Sequence, residues 1–240
     1  QGDADTIDGY GGTDVLQLSA GTHTFTTNDN MLKNVEQVKV DTTSGSTVDL
    51  TNQTEGFTIT VAGQTDSITG SDGNDIITIL SAGDGNNDTL IGGAGTDTAK
   101  FSADIHNYAI WKSANNQTIK IIDNSSNQDG IDSLTTIENL TFNSTTYTVS
   151  NLRNGAFLSS DGYKLVGNSG IHTLREKNGN TYSDDSSSLW DVTAAKQTGN
   201  SFDVLLQGSN GTSKDGYNSI WSTNSSGIIT SNSGWLTDAQ

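Results

Sequence analysis

A spacing of aspartates constrains this chain more than any other feature. Across residues 66–97 the sequence counts in nines: Asp66 and Asp75 are nine apart, and so are Asp88 and Asp97. Three of these aspartates close a run of glycine and other small residues and are followed two positions later by an apolar residue, in 70–78 (GSDGNDIIT), 83–91 (GDGNNDTLI) and 92–100 (GGAGTDTAK). The last copy matches G-G-x-G-x-D-x-U-x at each glycine and at the aspartate, with the small Ala99 at the apolar position U. An earlier copy, 9–17 (GYGGTDVLQ), puts Asp14 nine residues after Asp5, with Ile7 and Leu16 at the inward positions.

Six small, φ-permissive residues make a tight turn, and three residues alternating out, in, out make a short strand with one apolar side chain facing the core. Each nonapeptide is half a coil, and two complete one. Asp75 and Asp88 are thirteen apart, so four residues near 79–82 are extra. The same-edge partners are then Asp66 with Asp88 and Asp75 with Asp97, both separated by 22. A single bulge thus keeps both edges in register. Carboxylates gathered between coils, with glycine carbonyls turned to the same gap, make a cage of hard oxygens that suits calcium and not zinc or copper. The candidate ligands are Asp5, Asp14, Asp66, Asp72, Asp75, Asp84, Asp88, Asp97 and Asn86, with the turn positions Gly70, Gly73, Gly83, Gly85, Gly92, Gly93 and Gly95.

Charge points the same way. Residues 1–150 hold 20 acids against 5 bases, whereas 151–240 hold 8 against 6. A surface so acidic excludes nucleic acid and anionic membrane as partners, and no apolar run approaches the roughly 18 residues of a membrane span. Without a cation, adjacent carboxylates in the turns repel and little apolar area offsets the ordering entropy, so the first 100 residues are expected to fold only with calcium. Gln1 falls in mid-repeat with no initiator Met and no signal sequence, as in a fragment or processed product.

Between Leu18 and Val61 the calcium pattern lapses, but short β-branched pieces continue (VEQVKV at 35–40, TVDL at 47–50, FTITV at 57–61), so the solenoid is expected to run on through 1–100. Residues 101–150 carry longer alternating strands and read as its β cap. Within them 123–132 (DNSSNQDGID) reads as a polar hairpin loop. Residues 151–240 read as a separate antiparallel all-β domain with two related halves: GYKLVGNSG at 162–170 resembles FDVLLQGSNG at 202–211, and Asn178-Gly179 and Asn210-Gly211 are hairpin signals.

The inventory for catalysis is thin. His23, His106 and His172 lie in three different regions, there is no Cys, and no G-x-S-x-G occurs. Asp84-x-Asn86-x-Asp88 imitates an EF-hand start but places Thr89 where glycine and Gly95 where the bidentate glutamate are required. The adjacent acids Asp184 and Asp185 read as solvated turn residues. Trp190, Trp221 and Trp235 read as core or half-core packing, with Trp190 and Trp235 kept as a candidate sugar-stacking pair.

The copies GYGGTDVLQ, GSDGNDIIT, GDGNNDTLI and GGAGTDTAK resemble the hemolysin-type calcium-binding repeats of RTX proteins, and DSLTTIENLTF at 132–142 looks like the strand pair that commonly follows them. The remaining 90 residues, with SLWDVTAAKQTGNSFDVLLQG and SSGIITSNSGW, are similar to the tryptophan-rich C-terminal domain of large cyanobacterial surface proteins. The resemblance implies a calcium-binding β-roll, type I export as an unfolded chain, and folding on extracellular calcium. A chain without Cys or Pro agrees with that route, since neither disulfide formation nor prolyl isomerisation delays folding after exit. The expectation is a secreted, non-enzymatic module of a surface layer, cell coat or adhesin, partnered by calcium, by its own copies or by cell-surface polysaccharide. The alternatives are the C-terminal calcium module of a secreted hydrolase and a carbohydrate-binding module.

Overall fold

Most short strands of the first 150 residues alternate a buried apolar side chain with an outward polar one, and in the computed structural model these inward residues stack in two columns. Residues 6–40, 44–80, 86–113, 118–123, 130–167 and 170–237 are described. The fold is all-β, a parallel β-solenoid of about four turns plus a separate antiparallel region. The chain divides into two compact units, Gln1–Tyr108 with Lys112–Ser150 and Ala109–Trp111 with Asn151–Gln240.

In the first unit the chain alternates between two sheets. Sheet I runs Thr145–Thr148, Asn139–Phe142, Thr98–Phe101, Ile76–Leu80, Thr58–Ala62, Gln37–Val40, Val15–Leu18, parallel throughout except for its first pair. Sheet II includes, in order, Thr118–Asp123, Ile131–Thr135, Thr89–Ile91, Ser67–Thr69, Thr47–Asp49 and Thr22–Thr24, again with an antiparallel pair at the first-named edge. Register places Leu16, Val38, Ile59, Ile77, Ala99 and Leu140 in one column and His23, Val48, Ile68, Leu90 and Leu134 in the other. All but Leu16 and His23 are completely buried. Because the side-chain period of a strand is two, a slip of one residue would turn every member of a column to solvent, and this sets the register.

Three expectations change. The extra residues before Asp88 are not simply a bulge: Ile79 and Leu80 lengthen the strand Ile76–Leu80 and pair with Val61 and Ala62. Ile7 is not inward; Ile7–Asp8 pairs with Leu32–Lys33 in a sheet of just these two strands, which leaves its side chain 41% exposed. Residues 101–150 hold more than closing strands. After an excursion through Thr118–Asp123, the strands Ile131–Thr135 and Asn139–Phe142 add a further parallel coil, and the antiparallel strands lie outside it.

The second unit has two antiparallel sheets, Leu152–Arg153, Ala156–Ser159, Gly162–Gly167, Gly170–Thr173 and Trp190–Thr198, Ser201–Gly208, Tyr217–Thr223, Ile229–Asn232, with Leu236–Thr237 also against Tyr217–Thr223. Tyr163, Leu165, Leu174, Tyr182, Val192, Phe202, Val204 and Leu206 form its core. The strands Gly162–Gly167 and Gly170–Thr173 pair up to Gly167 opposite Gly170, whereas Ser201–Gly208 and Tyr217–Thr223 are separated by residues 209–216. The two related stretches thus diverge at their turns.

Leu90 touches only protein, so truncation leaves a cavity that the stacked coils cannot collapse to fill. Leu90→Ala is expected to destabilise the solenoid by about 2–5 kcal/mol, read as a shift of the urea midpoint by circular dichroism. A loss under about 1 kcal/mol would contradict the column packing.

Candidate metal centre

The residue where a turn ends and the chain enters the sheet, just before most solenoid strands and second in Ile131–Thr135, occupies a fixed place in the coil. Register stacks these residues into two further columns: Asp14, Glu36, Phe57, Asp75, Asp97, Glu138 beside sheet I, and Gly21, Ser46, Asp66, Asp88, Asp132 beside sheet II. Each carboxylate in them, apart from Asp14 at one end, accepts the backbone N–H of the equivalent residue one coil earlier. Asp75 donates to Asp97 Oδ1 at 2.8 Å and Phe57 to Asp75 Oδ1 at 2.6 Å. Asp66 donates to Asp88 Oδ1 at 2.8 Å, Asp88 to Asp132 Oδ1 at 3.0 Å, and Ser46 to Asp66 Oδ1 at 2.6 Å. The pairs Asp66/Asp88 and Asp75/Asp97, separated by 22 in sequence, are thus neighbours in space.

These side chains are buried: Asp66, Asp75, Asp88, Asp97 and Asp132 all belong to the interior. Asp97 is 0% exposed, and its Oδ2 has no hydrogen-bond partner. Burial, opposed by the Asp75 N–H and helped by the charges of Asp75 and Glu138, pushes its carboxyl up to about 6. Burial also raises Asp75, opposed by the N–H groups of Phe57 and Ser71 and by the Ser71 hydroxyl. The turn glycines make room for this. A Cβ on Gly92 would overlap both the Thr136 carbonyl oxygen and Asp97 Oδ2, and Gly93, at φ +110°, lies against the Ser71 carbonyl.

The other candidates fall out differently. Asp14 is half-buried with a shielded, unpartnered Oδ2, and its N–H donates to Glu36 Oε2 at 2.8 Å. Asp72 is exposed on its turn and stands in neither column. Asn86 donates from Nδ2 to the Gly63 carbonyl at 2.5 Å. Gly70 and Gly92 are buried, Gly73 and Gly93 half-buried, Gly95 exposed. Asp5, Gly83, Asp84 and Gly85 lie outside the described residues. Sequence reasoning missed Glu36, Asp132 and Glu138. Asp132, expected in a loop, enters the strand Ile131–Thr135 and is buried. The signal was present, since each of the three stands two residues before an inward Val or Leu, as the repeat aspartates do.

Among the described residues no three His, Asp or Glu side chains converge as a metal-binding group. The carboxylates stack in series, one per coil, so a cation here would complete its shell with backbone carbonyls, as the Thr136 carbonyl beside Gly92 and Asp97 allows. The donors are all hard oxygens, and the buried unpartnered oxygen of Asp97 is what a bound cation would neutralise, so the residues fit calcium.

In the second unit the Tyr163 hydroxyl meets the carboxylates of Asp184 and, at 2.5 Å, Asp191. Burial and these two hydrogen-bonded carboxylates push the phenol far above its ordinary range, and burial pushes Tyr182 up to about 12. Asp184 thus anchors a turn rather than standing free in solvent. Trp190 and Trp221 pack on the core, as expected. Trp235 does not: it is 61% exposed, beside Tyr217 and with the Lys214 ammonium over its ring. No protein-family model matches the chain, and no curated protein matches it.

The raised Asp97 carboxyl has a definite sign. A carboxyl that holds its proton more tightly when folded stabilises below the unfolded value of 3.8 and loses that contribution as pH rises through about 6. Asp8 and Asp161 are lowered, by Asn34 and Lys164 respectively, and their contributions fade only on acidification below about 4. In chelator, the melting temperature is therefore expected to fall between pH 5 and 7, the reverse of ordinary acid denaturation, and Asp97→Asn, which keeps an acceptor for the Asp75 N–H, to flatten the slope. A slope unchanged in Asp97→Asn would show that the buried charge lies elsewhere.

Proposed function

We propose that this chain is a secreted structural module of a surface layer, cell coat or adhesin that becomes rigid when calcium enters its solenoid, and that it carries no catalysis of its own. The observation that carries this reading is Asp97, an entirely buried carboxylate with one oxygen unpartnered, set between two more carboxylates and beside a backbone carbonyl. A cation there neutralises the repulsion along the column. The resemblance to hemolysin-type repeats supports calcium as that cation and the exterior of the cell as the place where it is met. The uneven charge, net −15 in residues 1–150 against −2 in 151–240, supports a division of labour in which the first unit takes up ions and the second makes contacts.

Titrating calcium into chelator-treated protein is expected to increase the β signal in circular dichroism with a midpoint of about 10⁻⁴–10⁻³ M, as in extracellular sites, and to raise the melting temperature. A chain whose spectrum and melting temperature ignore calcium would sink the proposal. Electron microscopy with and without calcium reads the assembly directly, and ordered sheets or filaments seen only with calcium are the expected outcome.

A further inference from the structure

The two columns contain one step that occurs twice and that the nonapeptide pattern does not describe. In 34–38 (NVEQV) and 136–140 (TIENL) a residue in the left-handed region, Asn34 at φ 52° or Thr136 at φ 50°, is followed by a buried Val35 or Ile137 and then by a glutamate. Three residues, 34–36 and 136–138, connect strand to strand here, whereas the coil stacked on each uses six, 9–14 and 92–97. The hydrogen bonds coincide. Gly9 and Gly92 donate to the carbonyls of Lys33 and Thr135 at 2.9 and 3.0 Å. Asp14 and Asp97 donate to Glu36 Oε2 and Glu138 Oε2, both at 2.8 Å, and Gln37 and Asn139 donate back to the Asp14 and Asp97 carbonyls at 3.1 and 2.9 Å. At both places a Cβ on the glycine would overlap the carbonyl oxygen of the left-handed residue, and at both the aspartate Oδ2 is shielded from solvent and unpartnered.

Asp75 supplies the contrast. Its Oδ2 accepts the N–H of Ser71 at 2.6 Å and the Ser71 hydroxyl at 3.0 Å, so its own turn satisfies it. At Asp97 the corresponding N–H belongs to Gly93 and is turned to Thr136 Oγ1 at 3.0 Å. Among the described residues no Lys or Arg pairs with Asp97 or Glu138. Asp75 also has the next coil's carboxylate and carbonyl beside it, from Asp97 and Gly92, so what distinguishes Asp97 and Asp14 is the lost donor: the N–H of Gly93 goes to Thr136 and that of Tyr10 to Asp8 Oδ1 at 2.9 Å. A buried oxygen left this way costs free energy unless a ligand takes it.

We infer that the chain holds two cation sites of one build, Asp97 with Glu138 and the Thr136 carbonyl, and Asp14 with Glu36 and the Asn34 carbonyl, each taking a hard divalent ion of the calcium class. This rests on the reading of the solenoid as calcium-binding, and adds that Glu138 and Glu36, which no repeat marks, are ligands. In the first site Asp97 is buried and Glu138 half-buried; the second, where Asp14 is half-buried and Glu36 exposed, is the weaker.

The test counts bound calcium on the full chain by equilibrium dialysis at saturating calcium. Glu138→Gln and Glu36→Gln retain an oxygen for the aspartate N–H but lose the charge. Each is expected to release one ion and the double variant two, while Glu55→Gln, which removes an exposed solenoid charge, releases none. Should Glu138→Gln not reach the wild-type circular dichroism, Glu138→Asp, which restores a carboxylate, is expected to recover both fold and ion. If the wild type binds calcium and both single variants keep its full count and affinity, the two sites are wrong while the calcium reading stands. If the wild type binds none at millimolar calcium, both fall.

Discussion

Taking a carboxylate out of water costs several kcal/mol unless hydrogen bonds or an opposite charge replace its hydration, and the solenoid does this at Asp66, Asp75, Asp88, Asp97 and Asp132. The first replacement is internal. Wherever the next coil carries an acid in its column, that acid accepts the backbone N–H of the coil end before it. One interaction thereby closes the turn, fixes the stacking of one coil on the next and partly neutralises the charge. It cannot neutralise the charge fully, because each acid takes one such N–H and the acids themselves stand within one coil of each other. The raised carboxyls of Asp75 and Asp97 express that deficit.

How each coil makes up the deficit depends on its turn. The Ser71 turn folds its own N–H and hydroxyl onto Asp75, and that carboxylate is nearly self-sufficient. The GGAG turn before Asp97 lacks that hydroxyl, and its Gly93 N–H bonds to Thr136, in the coil that follows the excursion. A cation bound there would tie that later coil, with the antiparallel strands outside it, to the repeats. The second unit follows another logic, with a conventional apolar core and the Tyr163 hydroxyl satisfied by Asp184 and Asp191. It does not bury carboxylates in series.

Much of the first unit was legible because two short periods coincide. The alternation of a strand put one apolar residue inward per strand, and the nine-residue count put an acid at the same distance before it, so Asp66/Asp88 and Asp75/Asp97 follow from arithmetic alone. Glu36, Asp132 and Glu138 were not seen, because they were sought by glycine-rich turns, and two of them end turns with no glycine at all. The shared feature is the later half of the motif, an acid and then an inward apolar residue. Trp235 was misjudged for a different reason: an aromatic beside a strand end reads as buried, yet this one stands 61% exposed with the Lys214 ammonium over its ring.

Sequence by itself determined the all-β class, the inward residue of most solenoid strands and the pairs Asp66/Asp88 and Asp75/Asp97, since all three depend on local periods that the coils repeat. Tertiary structure alone decided which carboxylate oxygens are satisfied. That choice turns on where the N–H groups of Ser71 and Gly93 point, and the second is set by Thr136, 43 residues further on. No period in the chain carries that information, because it belongs to the contact between two unlike coils.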